Sequence, residues 1–141
     1  MRLGFHLSIA GSLRRAVHQA QVLGCEALQI FVQNPRGWKW RPVAPAAIQD
    51  FIQARAQAGL RPLVVHLGYL PNLATADPAL YALSTERLCR ELELARDLGA
   101  DYLVARGVTV GADYSYSEND SNFQDYSFER SQVTLRAGVN F

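Results

Sequence analysis

The stretch PLVVHLGYLPNL, residues 62–73, decides the fold. Leu63, Val64 and Val65 form an unbroken apolar run, the pattern of a strand buried on both faces, and such strands belong to parallel sheets covered by helices. His66 stands where the strand ends, and a turn carrying Tyr69 and Asn72 follows. In parallel α/β barrels the carboxyl ends of the strands carry the chemistry. On position alone, a functional histidine and one that merely caps a backbone carbonyl are evenly matched.

Working outward, the same grammar recurs on both sides. Leu3 to Leu7 reads as a short strand ending at His6 and Ser8, and Gly11 and Ser12 then punctuate the chain. Leu13, Ala16, Val17, Ala20 and Leu23 recur at helical spacing, and Gly24 closes that helix. A strand from Ala27 to Val32 leads into a polar loop, Gln33 to Arg41. Pro45 opens a helix with Ile48, Phe51, Ile52 and Ala56 on one face, ended by Gly59. After residue 73, Asp77 and Pro78 are an N-cap and a first helical residue. Leu80, Leu83, Leu88, Leu92 and Ala95 carry that helix to Gly99, and Tyr102 to Ala105 is a fourth strand. Strand and helix alternate as in a parallel sheet, and four such units make half of a (β/α)₈ barrel.

Past Arg106 the period changes. Val108, Val110, Ala112, Tyr114 and Tyr116 alternate strictly with small or polar residues, and Val133, Leu135, Ala137, Val139 and Phe141 repeat the pattern. The polar loop Glu118 to Asp125 would join the two as an antiparallel hairpin. Charge marks the same boundary: residues 1–106 hold 12 Lys and Arg against 8 Asp and Glu, whereas residues 107–141 hold 2 against 5. The fold expected is therefore α/β, the N-terminal half of a TIM barrel over residues 1–106 followed by an antiparallel β-hairpin over residues 107–141. The net charge of +1 indicates no particular partner. Cys25 and Cys89 form no framework and read as buried free thiols. The N-terminus lacks the apolar core of a signal peptide, so a cytoplasmic location is expected.

His6-Leu7-Ser8 with Gly11, the loop Asn34-Pro35-Arg36-Gly37-Trp38, and His66-Leu67-Gly68-Tyr69-Leu70-Pro71-Asn72-Leu73 together resemble the endonuclease IV family. Those enzymes are zinc-dependent apurinic/apyrimidinic endonucleases on a (β/α)₈ barrel, relatives of the xylose isomerase-like sugar isomerases and epimerases. The resemblance covers roughly residues 1–105. It implies that His66 is a zinc ligand, and that Arg36 and Tyr69 enter abasic double-stranded DNA at the lesion. An arginine meets phosphate and an aromatic ring wedges against unstacked bases. Trp38 and Trp40 read as packing the loop, His6 is not assigned to metal, and His18 reads as a surface residue.

The family's zinc cluster takes most of its ligands from strands four to eight, and Arg106 stands where the second histidine is expected. One histidine does not hold a zinc cluster. The expectation is thus a truncated or chimeric endonuclease IV-like chain with impaired phosphodiester cleavage. A non-catalytic DNA-binding fragment is the first alternative. The tail resembles the closing hairpin of a bacterial outer-membrane β-barrel, with Phe141 its most telling residue, which makes a membrane-associated fragment the second. A half barrel also leaves strand edges open, so self-association is expected.

Overall fold

The computed structural model describes residues 2–105, 108–119 and 128–139, with side chains described over residues 2–105. Its elements, in chain order, are β1 (Gly4–Leu7), α1 (Leu13–Val22), β2 (Ala27–Ile30), α2 (Pro45–Gln57), β3 (Leu63–His66), α3 (Pro78–Asp97), β4 (Tyr102–Ala105), β5 (Val108–Asn119) and β6 (Phe128–Val139). They form one six-stranded sheet in the order β1-β2-β3-β4-β5-β6. The first four strands are parallel, and β5 and β6 are antiparallel. This is the four-unit α/β barrel portion that the alternation predicts.

Side-chain caps start α1 and α3, and a proline opens α2. The Ser12 hydroxyl accepts from the Arg15 amide at 3.1 Å, and the Asp77 carboxylate accepts from the Ala79 and Leu80 amides at 2.9 and 3.4 Å. Pro45 and Pro78 occupy the first helical turns, where a missing amide hydrogen removes nothing. At the far end of α3, Gly99 takes φ +67°, a left-handed conformation that ends the helix without a Cβ penalty.

The core lies between the sheet and the three helices. Leu28, Ile30, Leu63, Val65 and Leu103 point into it from the strands and are almost fully buried, meeting Ala16, Val17, Phe51, Leu94 and Leu98. The register sets His6 beside Gln29, Gln29 beside Val64, and Val64 beside Tyr102, so these residues share the opposite face. That face is only partly covered, and it changes the reading of β3. Leu63 and Val65 are buried while Val64 and His66 are half-buried, so the run has one dry face and one open face rather than two dry ones.

Other details also depart from the sequence pattern. In α3 the buried face is Ser84, Arg87, Glu91, Leu94 and Ala95, whereas Leu83 is exposed and Leu88 and Leu92 are only half-buried. The leucine spacing follows helical period equally well on a neighbouring stripe, and hydrophobicity alone selects the wrong one. Leu23 lies past α1 and is exposed, as is Cys89 on the outer side of α3, while Cys25 is half-buried. His18 is exposed as expected. The second hairpin strand begins at Phe128 rather than Val133, and its partner runs to Asn119. Most of the expected hairpin loop, Arg106 and Phe141 lie outside the described residues. Among the described residues, no helix is long and apolar enough to cross a membrane.

Candidate nucleic-acid and metal face

The sheet's open face converges on His66. β3 ends at this residue, and its Nδ1 lies 2.7 Å from the Leu67 carbonyl oxygen. A carbonyl only accepts, so Nδ1 carries a proton, and in the neutral ring Nε2 is the nitrogen that holds the lone pair a metal ligand needs. The carbonyl-capping reading open at the sequence level is thus present, and the cap selects the tautomer with its proton on Nδ1. His6 stacks nearby with ring centroids 5.9 Å apart, and Phe31 lies between, 4.4 Å from His6 and 5.0 Å from His66. The Gln29 side-chain amide donates to His6 Nδ1 at 3.0 Å. Its ring, packed on Phe31, is held below the ordinary histidine value by lost hydration first and by neighbouring His66 second, although the residue as a whole is open to solvent.

Tyr69 completes this aromatic group, 5.2 Å from Phe31 and 5.9 Å from His66, both edge-on. It is 57% exposed, which leaves most of its ring free to meet a ligand. Its backbone amide donates to the Pro35 carbonyl at 2.8 Å, which ties the β3–α3 loop to the loop that carries Arg36. That second loop is itself closed. The Gln33 side chain both donates to the Arg41 carbonyl (2.8 Å) and accepts from the Arg41 amide (3.0 Å), and the Asn34 side chain accepts from the Arg36 amide at 3.0 Å. Arg36 is therefore exposed on a loop of fixed shape. A cleft of about 660 Å³ opens beside it, lined among others by His6, Ser8, Gly11, Phe31, Gln33 and Arg41.

Sequence reading missed the groups beneath these loops. Arg87 and Glu91 of α3 form a buried ion pair, Arg87 Nε to Glu91 Oε1 at 2.5 Å. Arg87 also donates to the carbonyls of Trp38 and Asn34, each at 3.3 Å. Burial pushes the Glu91 carboxyl above its ordinary value, opposed by Arg87, by hydrogen bonding from the Gly68 backbone and by His66. On the same helix the Ser84 hydroxyl accepts from the Asn72 amide at 2.9 Å. The available signal was three polar residues at 84, 87 and 91, in helical step with Leu94. Trp38 and Trp40 are half-buried, and the guanidinium groups of Arg87 and Arg90 each lie 5.5 Å from the Trp40 ring, in keeping with a packing role for the tryptophans.

A family profile described as a xylose isomerase-like TIM barrel matches residues 17–139. The chain belongs to this family. Within it, the chain is 44% identical over 104 residues to a protein named probable endonuclease 4 of Methanocorpusculum labreanum, covering 74% of this chain and 37% of that one. It is 43% identical over 105 residues to endonuclease 4 of Thermus thermophilus, covering 73% and 38%. The crystal structure of endonuclease IV from Thermus thermophilus superposes with a TM-score of 0.71 at 41% identity, over 74% of this chain and 39% of that one. The chain thus spans well under half the length of these relatives. A D-allulose 3-epimerase from Methylomonas shares the fold alone, with a TM-score of 0.52 at 21% identity.

The endonuclease IV likeness of the N-terminal part agrees with its motifs. The profile runs through β5 to the end of β6, and the comparisons lend no support to the outer-membrane resemblance of residues 107–141. The zinc that the endonuclease IV resemblance implies needs about three protein ligands in a catalytic site. Among the described residues, no group of three His, Cys, Asp or Glu side chains could hold a metal. The donors on this face fit one ligand position of a zinc site rather than a complete one.

Proposed function

We propose that this chain carries the DNA-reading loops of an endonuclease IV-like protein and one of its zinc-ligand positions, and that by itself it binds abasic duplex DNA with little or no cleavage. The observation that carries the reading is the joining of two loops, Tyr69 amide to Pro35 carbonyl, which fixes an exposed arginine and an exposed tyrosine beside a histidine with a free Nε2. In this reading Arg36 meets a backbone phosphate and Tyr69 fills the gap that a missing base leaves in the stack. His66 is the ligand position, and zinc bound through it would act as a Lewis acid toward a phosphate oxygen. Self-association through the exposed sheet edge at β1 belongs to the same proposal.

Binding of the full chain to a duplex holding an abasic-site analogue, compared with an intact duplex of the same sequence, tests the reading. Preference for the abasic duplex is expected, weakened by salt and retained in the presence of a chelator. Arg36→Ala should lower the salt slope by about 1, as loss of one phosphate contact requires. Equal affinity for both duplexes would overturn the reading. So would nicking of abasic DNA at the rate of a full-length relative.

A further inference from the structure

Arg87 uses every nitrogen of its guanidinium, and each bond points to a different part of the site. Nε meets Glu91, Nη1 the Trp38 carbonyl and Nη2 the Asn34 carbonyl. Asn34 and Trp38 are the two ends of the five-residue turn at whose centre Arg36 stands. The guanidinium therefore closes that turn from below, as a staple holds both limbs of a bend. Glu91 lies against Gly68 of the neighbouring loop, one residue before Tyr69. A Cβ added at Gly68 would lie 3.4 Å from the Pro35 carbonyl oxygen and 3.6 Å from Glu91 Oε1, so loop, loop and helix meet here with little room to spare.

Side chains of Arg87 and Glu91 are only 5% and 1% exposed. Taking two charges out of water carries a desolvation penalty of several kcal/mol per ion, which an ion pair offsets only with good geometry and further hydrogen bonds. An apolar pair would fill the same space on α3 without that penalty. What an apolar pair lacks is the power to fix two loop carbonyls at once.

We propose that Arg87, braced by Glu91, is the positioning residue that sets the relative placement of the Arg36 and Tyr69 loops. The proposal rests on the DNA-binding reading given above for its functional meaning, and the loop geometry can be followed without DNA. A lysine at position 87 keeps the charge and loses the fork, since an ammonium is a point donor that does not span three acceptors in one plane.

The chain's two tryptophans, Trp38 and Trp40, both lie in the loop that Arg87 holds, so intrinsic fluorescence reports this loop. In Arg87→Lys, tryptophan emission should shift to the red and acrylamide quenching should rise, while far-UV circular dichroism keeps its helical signal. Preference for abasic over intact duplex should fall on the order of tenfold, as expected for loss of hydrogen bonds to a charged group. Should Arg87→Lys fail to fold, Glu91→Gln carries the test, with the same directions of change expected. Wild-type emission and quenching in a folded Arg87→Lys or Glu91→Gln would overturn the proposal. Equal weakening of binding to both duplexes would also overturn it, because a merely structural role lowers affinity without altering the preference. If the wild-type chain shows no abasic preference, the DNA reading fails, and the fluorescence comparison still decides whether Arg87 positions the loops.

Discussion

Glu91 is a carboxyl group almost wholly out of water, and its neighbours pull its protonation in opposite directions. Burial raises its pKa, while Arg87, the Gly68 backbone and His66 lower it, and burial prevails. Between the ordinary value of 4.5 and the raised value, the folded chain holds a proton that the unfolded chain has released. The stability this group contributes is thus present below 4.5 and is lost as pH rises through the folded value. The melting-temperature gap between wild type and Glu91→Gln should therefore move in the variant's favour as pH climbs across that window. A gap that moves the other way would mean that the Arg87 ion pair outweighs burial. His66 permits a second residue-scale prediction. With Nδ1 committed to the Leu67 carbonyl, zinc added to the protein should perturb the His66 ring resonances in NMR spectra and leave those of exposed His18 unchanged. Zinc-independent His66 signals would remove it as a ligand.

The elements show which features a sequence of this kind exposes to reading. Helix starts were legible at Pro45, Asp77 and Pro78 because start signals are local chemistry, confined to three or four residues. His66 was legible from its place at a strand end, whereas Arg36 and Tyr69 stood out only through motif resemblance, since neither spacing nor composition says that the loops of residues 34–38 and 67–73 meet. The buried face of α3 was not legible. Its leucines mark one stripe, but Ser84 and Arg87 are bonded to loop backbone groups more than ten residues away in sequence, and Glu91 is buried with Arg87 as its ion-pair partner. Gly4 opens β1. A Cβ there would press against the Ala27 carbonyl of the paired strand, so the absent side chain is what lets β1 and β2 approach. Gly4→Ala should destabilise the chain by about 1–3 kcal/mol, the usual range for overpacking. Chemical denaturation measures this, and an unchanged midpoint would show that β1 moves aside freely.

At the scale of the whole molecule, the two sides of the sheet's β4 differ from the two sides of β1. β5 pairs with β4 in antiparallel register, Tyr102 beside Gly111 through Ala105 beside Val108, so the last parallel strand is covered along its length. β1 pairs with β2 on one side and ends the sheet on the other. Leu3 and Phe5 stand at that edge 62% and 58% exposed, which is an unusual place to leave two large apolar side chains together with unpaired backbone groups. The expected consequence is self-association that grows with protein concentration, measurable by sedimentation velocity or light scattering. Phe5→Lys should return the protein toward the monomer, because a charge on an edge strand opposes strand addition. Tyr69 lies on the β3–α3 loop rather than on the β1 edge, so the same substitution should leave abasic-duplex binding by the monomer unaltered. A wild-type chain that stays monomeric at every concentration would dispose of the edge as an association surface. A Phe5→Lys monomer that no longer binds DNA would instead show that β1 and the loops of Arg36 and Tyr69 act as one unit, joined through the contact of His6 with Phe31 and His66.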